Sequence, residues 1–418
     1  MKRKGLDPQK CPRNLAILAE GAQLWRCLQS LRAFNRDYQC QVRSLAFYDR
    51  ELDAQRFARN ADVLIPWDST AVPASWNFLY EQLELHQVDM LWLDASYAAQ
   101  RGPFSEICAS LRITMLGCQP LDDNALALKH RAAQLDIPLL PWQELSIHDR
   151  ARAALQAESL GFPLKIVAAH AHAAAETWTV AEAQDWPAAW EMVGRIAARE
   201  SLRSDFYIEA LTSDARILTV PVLRDAEGHV QALNILELVE EAGQTLWEEM
   251  PPPDLSTGLR EQLQSWSRQL LNAEGPALCS SVRFLYEPET DKAWLYDRQS
   301  CLAEHELLLE EALGMDIGKT RLYLAAGGTL DHDWDQTRSH FMALSLPVAA
   351  RDPGRKTLRL NVFRPMLAAG VQVESWVREG DDVAAGASLG TMLCRGSHRT
   401  DTLERVTEAL KESKILLE

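Results

Sequence analysis

Apolar runs in the first third of the chain alternate with segments whose apolar residues recur at helical spacing. The runs predict strands over residues 14–18, 41–48, 88–93 and 112–117. After the first run, the helical spacing is carried by Trp25, Leu28, Leu31 and Phe34. Strands that alternate with helices indicate a parallel sheet. About the first 120 residues are therefore predicted to form a Rossmann-like layer.

The middle of the chain predicts a small α+β unit. Helices are predicted over residues 124–134, 151–160 and 187–199. The phrase IPLLPW (137–142) contains two prolines, which mark a joint between subdomains. A strand pair flanks the segment between Leu164 and Val180, and the unit ends near residue 205. A unit of this size is typical of a lid over a cleft.

The remainder predicts a larger, mainly antiparallel region. Strands are predicted over residues 205–211, 215–225 and 230–238 and in the phrases SSVRFLYE and KAWLYD, and a helix over residues 259–271. The phrase DAEG (225–228) is typical of a hairpin turn. The final phrase TDTLERVTEALKESKILLE places Leu403, Val406 and Leu410 on one helical face. The predicted fold class is α/β and α+β, with a parallel N-terminal sheet, a lid and a mixed or antiparallel C-terminal domain.

Composition narrows the possible functions. The 418 residues are 47% hydrophobic and 24% charged, which is ordinary for a globular protein of two or three subdomains. The net charge of −16 argues against nucleic acid as a partner, because it repels polyphosphates at long range. The apolar run after the basic N-terminus is too short for a signal peptide or a membrane span. We therefore expect a cytoplasmic protein with no membrane partner.

Cysteines and tryptophans give structural expectations only. The eight cysteines are scattered singly, without C-x-x-C spacing, so we expect reduced thiols that are mostly buried. Trp25, Trp142 and Trp190 stand at apolar spacings and are expected to anchor the core.

Several phrases in chain order resemble the biotin carboxylases of the ATP-grasp superfamily. The phrase FPLKIVAA is similar to the family's YPVIIKAS, LGMDIGKTRLYLAAGGTL to TGVDLIKEQLRIAAGQPL, and EEMPPPDL to EEAPAPGI. The resemblance covers the chain from about residue 14 to its end. It implies a basic tail (1–13), a Rossmann-like domain (14–124), an ATP-grasp-like region (125–330) with its lid at about 142–204, and a C-terminal domain (331–418).

The phosphate-binding loop implied by the resemblance is absent from this sequence. The family has a run of glycines there, whose backbone N–H groups fold closely around phosphates. Here residues 170–176 read HAHAAAE, with no glycine. Glu176 adds a negative charge near the place where phosphates would lie.

Two ATP-site positions of the family keep their residue type. Lys129 matches the first ATP-binding lysine, and Glu209 is retained from the adenine-side phrase EKYL. The second lysine of the family falls at Val167. Lys165 lies two residues earlier on the same strand face, about 6–7 Å away, and is an alternative source of that ammonium group.

The metal and bicarbonate positions are changed. The two glutamates that would hold magnesium map to Arg283 and Tyr296, so no metal site is expected. Glu304, next to His305, matches the base that deprotonates bicarbonate in the family. The arginine that would hold bicarbonate is Ser300 here, and the arginine that stabilises the enolate of biotin falls at Ser345.

We interpret these losses as those of a non-catalytic biotin carboxylase-like pseudoenzyme. It would act as a structural or regulatory protein-binding subunit, and the resemblance implies carboxylase subunits or a biotin carrier protein as partners, and a homodimer. No cofactor is then expected. The alternative is a divergent ATP-dependent carboxylase or ligase subunit, which would use ATP and magnesium in a site rebuilt from Lys129, Lys165, Glu209 and Glu304.

Three other clusters are weighed against simpler interpretations. His170 with His172, and Asp331 with His332 and Asp333, have residue types that bind metals, but each is more simply an exposed polar loop. Arg283 and Arg298 would form an anion pocket, unless each pairs with one of the many carboxylates.

Overall fold

The structure is a computed structural model of the chain. It describes residues 6, 11–19, 21–48, 58–67, 74–94, 97, 101–117, 124–146, 148–170, 176–199, 204–212, 215–241, 244–273, 279–299, 302, 306–330, 334, 339–348, 357–375, 377–385 and 387–418.

A parallel sheet with helical connections forms the N-terminal part, as predicted. Its strands are Asn14–Leu18 (β1), Arg43–Tyr48 (β2), Val63–Pro66 (β3), Met90–Leu93 (β4) and Thr114–Gly117 (β5), in the order β3-β2-β1-β4-β5. The helices are Gly21–Tyr38 (α1), Ala74–Leu85 (α2) and Arg101–Leu111 (α3). Strand β3 was not predicted from the sequence, because it is a four-residue edge strand with Leu64 exposed.

The region predicted as a lid is a four-stranded antiparallel sheet with helices packed against both faces. Its elements are Ala125–Gln134 (α4), Trp142–Leu145 (β6), Arg150–Leu160 (α5), Leu164–His170 (β7), Glu176–Val180 (β8), a 3₁₀ turn at Ala183–Asp185, Trp186–Arg199 (α6) and Ser204–Ala210 (β9). The strand order is β6-β9-β7-β8. Ile166 and Ile208 face a core shared with α5 and α6, while Val167 and Tyr207 face the opposite side, toward α4.

A large sheet occupies the centre of the molecule. Its strands are Arg216–Arg224 (β10), Val230–Ala232 (β11), Leu236–Glu241 (β12), Gln244–Met250 (β13), Cys279–Glu287 (β14), Lys292–Gln299 (β15), His340–Pro347 (β16), Val371–Ser375 (β18) and Ser388–Gly396 (β20), and β11 pairs only with β10. Helix Thr257–Ala273 (α7) packs on β10 and β11. Helices Glu306–Leu313 (α8) and Ile317–Ala325 (α9) pack beside α1.

The predicted single strand over 230–238 is wrong, since the chain leaves the sheet between β11 and β12. The break lies opposite Pro221 of β10, which has no N–H to donate to a ladder. The Leu233 N–H donates instead to the Pro221 carbonyl at 2.7 Å. The hairpin turn at residues 225–228 is confirmed by the bond from the Gly228 N–H to the Asp225 carbonyl.

A smaller sheet and a helix complete the C-terminal part. The strands Thr357–Arg364 (β17), Asp382–Ala384 (β19) and Lys414–Leu417 (β21) pair in the order β19-β17-β21. Helix Arg399–Glu412 (α10) packs on β20 and β16. The predicted terminal helix is therefore confirmed up to Glu412, but KILL is a strand, and Leu410 of the predicted apolar face is 48% exposed. The domain boundaries stay predictions.

Two expectations about single residue types are corrected. Cys11 and Cys40 are joined in a disulfide, so the expectation of reduced thiols is wrong for this pair. Four described cysteines are free and buried: Cys27, Cys108, Cys279 and Cys394. Trp25 is not a core anchor, since it lies on the outer part of α1 and is 36% exposed, whereas Trp190 packs against the lid core.

Among the described residues, no helix combines the length and apolar character that crossing a bilayer requires.

Candidate functional site

Helix α4 places Lys129 at the boundary between the lid and the large sheet. Asn124 caps the helix by accepting a hydrogen bond from the Ala127 N–H, and its side-chain amide donates to Asp205 at 3.1 Å. These contacts fix the start of α4 relative to β9. Lys129 then points inward and is only 3% exposed.

Lys129 and Lys165 converge on one carboxylate. The Lys129 Nζ donates to Oε1 of Glu209, and the Lys165 Nζ lies 2.7 Å from Oε2. Lys165 of β7 stands directly across from Glu209 of β9 in the strand register, which explains the second contact. Both oxygens of Glu209 are therefore occupied by ammonium groups of the protein itself.

Aromatic rings surround the two ammonium groups. The Lys129 Nζ lies 5.2 Å from the centre of the Tyr207 ring and 5.9 Å from that of Trp142. The Lys165 Nζ lies 4.8 Å from the centre of the Tyr296 ring. Such contacts stabilise a cation at the face of a ring. Tyr296 thus packs against a lysine, at the position where the resemblance implied a magnesium ligand.

Burial dominates the electrostatics of this cluster. It lowers the pKa of Lys129, although the Glu209 carboxylate opposes that change. Burial also raises the pKa of the Tyr207 phenol, and the charge of Glu209 acts in the same direction. The cluster is therefore a desolvated ion group whose charges depend on one another.

The position of the family's second lysine lies in an apolar cluster. Val167 is 2% exposed and stands across from Tyr207, and it packs with Leu126 and Ala169. This side of the lid sheet is therefore filled by side chains along the described part of β7. Lys165 stands on the same face of β7 as Val167, and its ammonium group is held by Glu209.

A guanidinium replaces one of the carboxylates expected at the metal position. The Arg283 Nη1 lies 3.2 Å from Oε1 of Glu240, and Arg283 stands across from Asp297 of β15. Burial raises the pKa of Asp297, and Arg283 opposes that change. Arg283 thus pairs with a carboxylate, as the simpler interpretation predicted. Arg298 is also buried, and its backbone N–H donates to Asp297.

No group of three or more His, Cys, Asp or Glu side chains is arranged to hold a metal ion within the described part of the chain. Glu304, His305 and Ser300 lie outside the described residues, as do His172, the rest of the 171–175 segment and the cluster at 331–333; the side chains of His170 and Glu176 are likewise not described. Ser345 is described and lies on β16, opposite Thr391 of β20.

Two parts of the site were not predicted from the sequence. Asp297 was not predicted, although it follows Tyr296 on a strand; it is half-buried and stands across from Arg283. The Lys165–Glu209 contact was also missed, because it depends on the pairing of β7 with β9 across 44 residues. The presence of a lysine and a glutamate on two strands of one lid was the signal available.

A family model matches half of the chain. The model is described as carbamoyl-phosphate synthase L chain, ATP binding domain, and it matches residues 124–333.

Curated relatives are distant in sequence. Urea amidolyase of Saccharomyces cerevisiae is 21% identical over 99% of this chain, which spans only 23% of that protein. Biotin carboxylase 1 of Bacillus subtilis is 22% identical over 76% of this chain and 73% of its own. The methylcrotonoyl-CoA carboxylase subunit alpha of Arabidopsis thaliana is 21% identical over 76% of this chain and 45% of its own.

Solved structures share the fold along nearly the whole chain. A biotin carboxylase–βγ-ATP complex from Campylobacter jejuni superposes with a TM-score of 0.84 at 16% identity, over 98% of this chain and 93% of its own. The biotin carboxylase domain dimer of the 2-oxoglutarate carboxylase from Hydrogenobacter thermophilus, in complex with MgADP and bicarbonate, also gives 0.84 at 16% identity, over 97% and 91%. The predicted fold class is confirmed, and so is the resemblance to biotin carboxylases.

Proposed function

The chain belongs to the carbamoyl-phosphate synthase L chain ATP-binding family and has the biotin carboxylase fold, and we propose that it is a non-catalytic member that serves as a protein-binding subunit. The chain would retain the fold for protein binding and not for catalysis, as a structural or regulatory component of a carboxylase system. The carrying observation is the closed ion cluster of Lys129, Glu209 and Lys165.

The ion cluster supports this proposal because the ammonium groups of Lys129 and Lys165 are already paired with Glu209 of the same chain. A nucleotide that recruited Lys129 would have to separate it from Glu209 and leave a buried carboxylate with less compensation. Separating one partner from a buried ion pair costs about 3–5 kcal/mol. Val167 supplies no charge in return, and the sequence of residues 170–176 offers no glycine for a phosphate cradle.

Arg283 supports the same proposal at the metal position. A guanidinium about 4 Å from Mg²⁺ would cost roughly 8 kcal/mol at an effective dielectric of 20, before any opposing contribution from nearby carboxylates. The ion pair with Glu240, 3.2 Å away, also holds the Arg283 guanidinium in this position. The proposal therefore includes no ATP, magnesium or other cofactor.

The proposed partners come from the carboxylase relatives. We place the chain with carboxylase subunits or a biotin carrier protein, in the cytoplasm, as a homodimer. The dimer is supported by the Hydrogenobacter thermophilus domain, whose structure is described as a dimer. The net charge of −16 argues against nucleic acid.

A turnover assay tests the catalytic half of the proposal. The purified chain is incubated with Mg-ATP, bicarbonate and free biotin, and ADP release is followed beside an authentic biotin carboxylase as positive control. The expected result is a rate equal to that without protein. Bicarbonate-dependent ATP hydrolysis that disappears in Lys129→Ala would instead support a divergent ATP-dependent carboxylase or ligase.

A capture experiment tests the partner half. The tagged chain is cross-linked in cells that express it natively, and the captured proteins are identified by mass spectrometry against a tag-only control. Enrichment of carboxylase subunits or of a biotinylated carrier protein is expected. Reproducible absence of both classes, with the bait recovered intact, would remove the proposed partner.

A further inference from the structure

Among the described strands, β21 is the outer strand of its sheet, and its second edge can accept another strand. It lies at the end of the order β19-β17-β21 and pairs only with β17 among the described strands. The N–H and C=O of Glu418 both bond to Arg359 of β17. Because these groups alternate in direction along a strand, Ile415 and Leu417 direct theirs toward the free edge.

The two faces of β21 differ in exposure. Ile415 and Leu417 are half-buried and pack against the core of the C-terminal part. Lys414, Leu416 and Glu418 lie on the other face and are exposed, with Leu416 47% exposed. An exposed, unpaired strand edge is a template for pairing with another strand.

The order of residues along this edge is complementary to itself. We propose that β21 of two copies of this chain pairs antiparallel, with Leu416 on the two-fold axis. Lys414 of each copy then lies opposite Glu418 of the other, and Ile415 lies opposite Leu417. The partner of this edge is therefore a second copy of the chain, and the contact is isologous.

The backbone directions fit this register. Ile415 and Leu417 face the free edge, so they exchange N–H···O=C bonds as a hydrogen-bonded pair across the axis. Leu416 then forms a non-hydrogen-bonded pair with its own copy, in which side chains approach most closely. A register shifted by two residues, the smallest shift that keeps each side chain on the same face, would place Lys414 opposite Leu416 and lose both ion pairs.

A charge imbalance within one copy favours the same arrangement. Lys414 stands across from Arg364 of β17, and like charges in that position are unfavourable. Arg364 lies 3.9 Å from Glu379, while Lys414 has no ion pair among the described residues. Glu418 of a second copy would supply the missing negative charge.

The contact is short and does not depend on the state of the lid cleft. One strand on each side buries less than the roughly 1,200 Å² of a stable standard interface, so association through this edge alone is expected to be weak. It therefore adds a specific contact to the proposed homodimer, whatever other surface that dimer uses.

Disulfide trapping tests the axis directly. In the full-length chain, Leu416→Cys is expected to form an intermolecular disulfide dimer under mild oxidation, because the two side chains face each other. Leu85→Cys is the matched control, since Leu85 is 70% exposed on α2, a helix that packs on the parallel sheet and not on the sheet of β21. The wild-type chain reports any cross-linking by its own cysteines. Trapping of Leu416→Cys no faster than of Leu85→Cys would overturn the proposal.

Charge reversal tests the register. Lys414→Glu and Glu418→Lys should each reduce trapping at position 416, because each places like charges across the axis. The double variant restores opposite charges and should recover it. If Leu416→Cys forms the disulfide dimer equally fast alone, with either single charge reversal and with both, the pairing of Lys414 with Glu418 is wrong. If sedimentation shows a dimer but Leu416→Cys does not cross-link, the β21 contact is wrong. The homodimer that we propose under the function of this chain is unaffected by that result.

Discussion

At the scale of single residues, Glu209 is the shared partner of the buried ion cluster. Its two oxygens bind the ammonium groups of Lys129 and Lys165, and its side chain is 2% exposed. In such a buried site, each charge is tolerated only because the others are present. Glu209 is therefore more important for the stability of this chain than an exposed ion pair would be.

Replacing Glu209 with glutamine should destabilise the protein by about 3 kcal/mol, because it leaves two ammonium groups in a desolvated site. Asp382→Asn is the control: its pair with Arg359 is long at 4.0 Å and 67% exposed. That change should stay within about 0.5 kcal/mol. Urea unfolding measures both, and a Glu209→Gln loss as small as the control would show that the cluster is not tightly coupled.

Buried polar contacts join elements that are far apart in sequence. Glu249 of β13 is fully buried, and it accepts hydrogen bonds from His340 of β16 at 2.8 Å and from Arg399 of α10 at 2.5 Å. Burial by itself raises the pKa of Glu249, but the bonds from these two residues outweigh it, so the pKa is lowered. The ionised carboxylate thus stabilises the attachment of α10 to the large sheet.

This lowered pKa predicts how stability depends on pH. The contribution of Glu249 is fully present above the pKa of an unfolded glutamate, about 4.3, and is lost as pH falls through the lower folded value. Glu249→Gln should therefore be less stable than wild type at neutral pH, and the difference should shrink as the pH falls below that of the unfolded group. Urea unfolding of both proteins across the acid range measures it, and a constant difference would contradict the assignment.

Two glycines differ in whether the backbone requires a glycine at that position. Gly117, at the end of β5, has φ +79°, and an added Cβ would lie 2.2 Å from the Leu93 carbonyl oxygen. Gly117→Ala should cost at least about 2 kcal/mol, from strain and overlap. Gly194 lies on the exposed side of α6 with open space around it, so Gly194→Ala should stabilise by about 0.5–1 kcal/mol. Opposite shifts in the urea midpoint are expected, and shifts of the same sign would be inconsistent with these backbone conformations.

At the scale of the whole molecule, sequence patterns predicted the helices and strands better than they predicted the contacts between distant residues. Four of the five strands of the parallel sheet and the lid helices follow from periodicity within a few residues of their observed ends, and only β3 does not. The contact of Lys165 with Glu209 and the bond of His340 to Glu249 depend on pairing between distant strands, which periodicity does not specify. The β21 strand was assigned to a helix because KILLE continues the composition of α10, while its pairing with β17 decides its structure.

Direct nucleotide binding tests the central claim that the cleft is closed to ATP. A ligand present at 100 times its dissociation constant stabilises a protein by about 2.7 kcal/mol, which raises the melting temperature measurably. Thermal unfolding of the full chain with millimolar Mg-ATP, beside an authentic biotin carboxylase, should leave the melting temperature of this protein unchanged while that of the control rises. A saturable, magnesium-dependent rise that Lys129→Ala abolishes would contradict the account.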